Sequence, residues 1–171
     1  MSPKLITALE KQANHELLAA QSYLAMAYWC DVHLHGGFAK FFHHQAEEEQ
    51  DHARKILTYL ADRGVVPTFG AIAAARVAFQ NLVEVAQAAY EFERANTAGI
   101  HAAYEAALAE KDYPVQVMLQ VMLHWFISEQ VEEEAWSGKL LAKTREASCA
   151  GAMLNLDRHL AKILNDDATE S

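Results

Sequence analysis

The chain has 171 residues, 52% of them apolar, with 14 basic against 23 acidic side chains and a net charge of −9. That length allows one domain with a full core and is tight for two. The acidic balance argues against a nucleic-acid partner and suits the attraction of cations, and no apolar run reaches the roughly 18 residues of a membrane span.

Seven Gly and three Pro are few for this length, which suits long helices joined by short connections. The opening Met1-Ser2-Pro3-Lys4 lacks the apolar stretch of a signal peptide. Cys30 and Cys149 show no CxxC spacing and suggest no disulfide framework. The expected location is the cytoplasm, with no membrane and no nucleic acid as partner.

Leu5, Leu9, Ala13, Leu17, Ala20, Leu24 and Ala27 recur at helical spacing and predict a first helix from residue 4 to about residue 32. Gly36 and Gly37 break it. The second helix starts there, carries Phe38, Phe42, Ile56 and Leu60 on its stripe, and ends near Arg63-Gly64. The stretch Val65 to Gly70 reads as extended or turn-like, and 71–80, rich in Ala and Val, is ambiguous. A connection of about 17 residues is long for a compact domain, and long enough to cross the length of a bundle. A third helix runs from about Asn81 to Ala109. Lys111-Asp112-Tyr113-Pro114 is a tight turn with Pro opening a fourth helix, which continues to about Lys143. A short fifth helix spans Met153 to Asn165, and the polar tail 166–171 is expected to fray. The expected fold is all-α: a single domain over 1–171, a four-helix bundle with a long crossover between helices two and three and a short C-terminal fifth helix.

The stripe of the second helix, continued through its middle, passes through Gln45, Glu49 and His52. An acid and an imidazole three residues apart therefore occupy core positions. Burying an unpaired carboxylate is costly, so these positions call for a compensating charge or metal. The first helix's stripe carries Glu16 and Tyr23, the third's carries Glu93, and the fourth's carries Gln130 and Glu133. Each long helix thus brings an acid to its buried face near mid-length, and no Lys or Arg shares those stripes. Converging carboxylates repel unless some are protonated or a multivalent cation sits among them. Carboxylate oxygens with one imidazole suit iron or manganese better than a structural zinc site.

With Glu16, Glu93 and Glu49-x-x-His52, the chain resembles the ferritin-like di-iron proteins over its whole length. On the fourth helix it has Gln130-x-x-Glu133 within Ile-Ser-Glu-Gln-Val-Glu-Glu-Glu where the di-iron pattern repeats Glu-x-x-His. That departure is similar to the non-haem bacterial ferritins. Bacterioferritins place a haem-ligating Met right after the second-helix Glu, and here that residue is Gln50. The resemblance implies a ferroxidase centre in which Glu16, Glu49 and His52 bind one iron. Glu49 would bridge to a second iron held by Glu93 and Glu133, with Gln130 beside it. It also implies a third iron site at Glu48, Glu129 and Glu132, with Glu133 shared, and a tyrosine, Tyr23, next to the centre. No haem is expected. The implied function is storage of iron: Fe(II) is oxidised by oxygen or hydrogen peroxide, and ferric mineral collects in a shell of 24 subunits.

The rival reading is a di-iron oxidase or peroxidase acting on another substrate; a rubrerythrin-type peroxidase would need paired CxxC motifs that this chain lacks. His15, His33, His35, His101 and His159 have no partner at ligand spacing and read as surface or structural. His43 and His44 cannot both face the core, and His124 and Trp125 stay unassigned. Met118 and Met122 read as core or subunit contacts. Ferritins often line their threefold pores with acids at the start of the fourth helix. Here 115–122 has none, so another entry route for iron is open.

Overall fold

The computed structural model describes residues 1–165. The polar tail 166–171 lies outside the described residues. Helix α1 (Pro3–Val32) starts where the Ser2 hydroxyl accepts a hydrogen bond from the Leu5 amide at 3.2 Å and Pro3 opens the first turn. It ends in a tight turn through Leu34, whose φ of 62° is left-handed. The second helix starts at the two glycines, as the sequence predicts: α2 spans Gly36–Asp62. Gly37 is needed for close approach, since a Cβ there would sit 1.7 Å from the Asp157 carbonyl oxygen. α2 closes at Gly64, where a φ of 72° favours glycine and the Val65 amide bonds back to the Leu60 carbonyl at 3.0 Å.

The connection up to Asn81 is irregular throughout, including the Ala/Val-rich stretch. It runs along α1, with the Thr68 amide donating to Glu10 (2.8 Å) and the Gly70 amide to Asn14 (3.1 Å). Helix α3 (Leu82–Leu108) opens with Asn81 as its cap. The fourth long helix is one rod in three parts: α4 (Tyr113–Met118), a π-helical segment (Leu119–Leu123) and α5 (His124–Glu146). It runs one turn past Lys143, and Lys143 and Arg145 in its last turn suit the negative end of the dipole. The short last helix, α6 (Ala150–Asn165), starts three residues before Met153.

Two apolar clusters fill the bundle. One holds Met26, Phe38, Phe42, Val85 and Leu140; the other holds Leu9, Ile56, Leu60, Ile100 and Phe126. Read along the chain, α1 and the α4–α5 rod pass from the second cluster to the first, while α2 and α3 pass the other way. Helices α2 and α3 are therefore parallel, which is why a connection as long as the bundle must join them. Between the clusters lies a belt of buried polar residues: Gln12, Glu16, Gln45, Glu49, His52, Glu93, Asn96, Gln130, Glu133 and Ser137. Full burial of each large apolar side chain is worth roughly 1.5–3 kcal/mol, so the two clusters hold together helices whose middles repel. Helix α6 packs on α2 and α5. No helix among the described residues is long and apolar enough to cross a membrane.

Candidate metal centre

Glu16 from α1 and Glu49 and His52 from α2 bring ligand atoms within 4.8 Å of one another. So do Glu49, Glu93 and Glu133, from α2, α3 and α5. Glu49 belongs to both groups, so the two donor sets share one carboxylate. All five residues are at most 6% exposed. The Tyr23 hydroxyl donates to Glu93 Oε1. The Gln130 amide donates to the Glu93 carbonyl at 2.9 Å and to Glu93 Oε2 at 3.2 Å. Glu49 Oε2 is buried and has no hydrogen-bond partner, although His52 Nδ1 lies 3.4 Å away. A buried carboxylate oxygen left over in a ring of acids is what a cation would satisfy.

Burial sets the protonation of this ring. Desolvation, with Glu49 alongside, raises Glu16 well above the carboxylate range, against a smaller pull from the Gln12 amide. Desolvation likewise raises Glu49 and Glu133, each with neighbouring acids adding to it. Glu93 is raised to about 7 by burial, against the hydrogen bonds from Tyr23 and Gln130. Without a cation, burial makes these acids hold protons more tightly than free carboxylates do; binding a divalent metal would release them. Burial also raises the Tyr23 hydroxyl well above its ordinary range, which keeps it a donor.

The residues implied for a third site are placed less tightly. Glu48, Glu129 and Glu132 line one cavity of about 750 Å³ together with Glu133, Lys40, His44 and Trp136. Glu129 oxygen comes within 4.8 Å of ligand atoms of His52 and Glu133. Glu48 instead accepts a hydrogen bond from Gln45 and lies 3.3 Å from His44 Nδ1. Glu132 is exposed. Trp125 meets the His52 ring edge-on at 5.4 Å between centroids, and Lys55 Nζ sits 3.0 Å over its face.

Buried acids from four helices, converging on two groups with one shared carboxylate, are matched by a family. The model of the ferritin-like domain matches residues 6–147. The chain belongs to this family. It is 40% identical over 135 residues to a bacterial non-heme ferritin of Staphylococcus aureus, covering 79% of each chain. The corresponding protein of Staphylococcus epidermidis is 39% identical over the same length. An open-pore ferritin of the hyperthermophilic archaeon Archaeoglobus fulgidus superposes with a TM-score of 0.85 at 32% identity, over 94% of this chain and 97% of that one. A form of that ferritin engineered to close matches at a TM-score of 0.85 and 33% identity, over 94% and 96%. Iron storage, with oxidation of iron as its chemistry, is the function this membership supports.

In this ferritin-like chain several groups around the acids were not singled out by sequence reading. The Gln12 amide donates to Glu16 Oε1 at 2.6 Å, and the Asn96 amide to Glu16 Oε2 at 3.1 Å. The Trp136 indole donates to Glu133 Oε2. Each sits three or four residues from an acid of the ring (Gln12 from Glu16, Asn96 from Glu93, Trp136 from Glu133), which was the available signal. Asp157, from α6, was a second omission: its Oδ1 accepts from the Gly37 amide at 2.9 Å and the Phe38 amide at 3.1 Å, capping α2.

Proposed function

We propose that this chain is the subunit of an iron-storing shell and that Glu16, Glu49, His52, Glu93 and Glu133 form its di-iron ferroxidase centre. The observation carrying this reading is the pair of donor groups that share Glu49. Iron is the substrate. One Fe(II) is bound by Glu16, Glu49 and His52 and the other by Glu49, Glu93 and Glu133. Hard carboxylates hold Fe(III) more tightly than Fe(II), which favours oxidation. Each Fe(II) gives one electron. Two electrons and two protons take oxygen to hydrogen peroxide, or hydrogen peroxide to two waters.

The chain's own groups prepare the step. The acids exchange protons for metal, because burial has made their charged forms expensive without it. Tyr23 and Gln130 fix both oxygens of Glu93 from opposite sides. Glu129, beside His52 and Glu133, opens the ring toward the cavity that also holds Glu48 and Glu132, a path for ferric product to leave. The position after Glu49 is Gln50, an exposed amide, and we propose no haem there.

Assembly into a shell of 24 subunits is supported by apolar side chains that a lone subunit leaves in water. Val66, Phe69 and Val77 on the crossover are 66–91% exposed, and Tyr113, Val117 and Val121 on the fourth rod are 60–86% exposed. The proposed setting is the cytoplasm, with the chain folding as one domain. Size-exclusion chromatography after repeated aerobic additions of Fe(II) tests storage. Hundreds of irons should travel with one large particle; saturation near two per chain in a small oligomer would instead indicate a di-iron oxidase or peroxidase.

A further inference from the structure

The acids of the centre differ in how they are held. Glu16 alone has each carboxylate oxygen occupied by a buried side-chain amide: Gln12 on Oε1 and Asn96 on Oε2. The two amides also bond to each other, Gln12 Nε2 donating to Asn96 Oδ1 at 2.5 Å. Gln12, Asn96 and Glu16 thus close a triangle between α1 and α3, each at most 3% exposed. Its polarity is the one that serves Glu16 as a carboxylate, the form that binds metal. Turning the Gln12 amide over would set its carbonyl against the carboxylate, and turning Asn96 over would do the same.

This orientation leaves Gln12 Oε1 buried without a hydrogen-bond partner, an arrangement that costs stability. The oxygen is pressed against α3 at Gly99, where any Cβ would come within 2.1 Å of it. A glycine at that point makes room for an amide that would otherwise be displaced, and the amide's one satisfied end serves Glu16.

We propose that Gln12 and Asn96 are positioning residues for the Glu16–Glu49–His52 iron site, and that Gly99 is the gap that lets Gln12 take its place. The inference rests on the ferroxidase reading of that group. Neutral amides can do here what a cation could not. They hold the carboxylate in one orientation, and they add no positive charge to compete with the metal. Each Glu16 oxygen keeps a free lone pair for the ion, so the carboxylate waits in the conformation in which it binds. Without the clamp, the Glu16 side chain is free to turn, and the metal has to order it first.

The test uses the assembled metal-free protein and Co(II), whose visible bands report its ligand set and whose titration reports affinity. Asn96→Leu and Gln12→Met remove the donors with little change in volume, and either gives the reading if the other fails to assemble. Each should weaken one class of Co(II) sites by about 10–100-fold and shift its bands, leaving the other class unchanged. Gly99→Ala, which touches Gln12 and not Glu16, should reproduce the loss. In a Glu16→Ala background the same substitutions should add nothing. Wild-type affinity in both donor variants, or an equal further loss without Glu16, would overturn the clamp. If Glu49→Ala also left Co(II) binding untouched, the ferroxidase reading itself would fall, and the clamp with it.

Discussion

Glu49 and His52 stand one turn apart on α2, His52 Nδ1 3.4 Å from a Glu49 oxygen that has no hydrogen-bond partner. Both side chains are buried, and Glu49 is the carboxylate common to the two donor groups. With Glu16 as a third donor, their ligand atoms lie within 4.8 Å of one another, close enough for one cation to be met by all three.

Metal-free protein should lose stability as pH rises from 5 to 8. Glu16, Glu49, Glu93 and Glu133 all bind protons more tightly folded than unfolded. Their contribution is therefore full below the ordinary carboxylate value of 4.5 and is lost as pH passes the folded value, about 7 for Glu93. For Glu93 alone this amounts to on the order of 3 kcal/mol. Thermal melting at several pH values checks it. Glu93→Gln should flatten the decline, and Co(II) should raise the melting temperature more at pH 8 than at pH 5.

Glu129→Ala should slow second and later rounds of Fe(II) oxidation more than the first, because Glu129 joins His52 and Glu133 at the cavity side. Glu132→Ala, at an exposed residue, should leave both near the parent rate. Multi-turnover oxidation kinetics separate the two variants; equal effects would place the outgoing path elsewhere.

Trp136→Phe removes the indole donor to Glu133 while keeping an aromatic against Tyr23. Glu133 should then hold its proton to higher pH. The Fe(II) concentration for half-maximal oxidation rate should rise about tenfold, with helical content unchanged by circular dichroism.

Much of the candidate centre was legible in the sequence because a charged residue in an apolar stripe is conspicuous. Glu16, Glu49, His52, Glu93 and Glu133 each interrupt a helical period, and the structure gathers them at one depth. Gln12 and Asn96 were harder to see: a neutral amide near a stripe also fits a half-buried surface position, and its partner lies on another helix. The π-helical turn at Leu119–Leu123 has no Gly or Pro to announce it. Glu129 and Glu132 are adjacent in pattern but not in reach, since one helical turn separates a side chain at the ring from one in solvent. The Asp157 cap joins residues 120 apart in sequence, and no local pattern carries it.

That cap supplies a test of the fold independent of iron. Asp157→Ala removes both acceptor contacts at the start of α2 and should cost about 1–2 kcal/mol in denaturant unfolding. Gly37→Ala should cost more, since its Cβ would overlap the Asp157 carbonyl and push α6 off α2. Both positions border the cavity that Glu133 also lines, but neither belongs to the two donor groups, and the first-turnover rate should stay near the parent value.

The most direct test of the central claim is stopped-flow absorbance after mixing metal-free protein with two Fe(II) per subunit in oxygenated buffer, alongside Glu49→Ala and His52→Ala. A ferroxidase centre built on these residues gives a fast ferric signal in the parent and loses it in both variants, with helical content and particle size preserved. A fast signal retained in Glu49→Ala would contradict it, because that carboxylate is the one both proposed iron sites share.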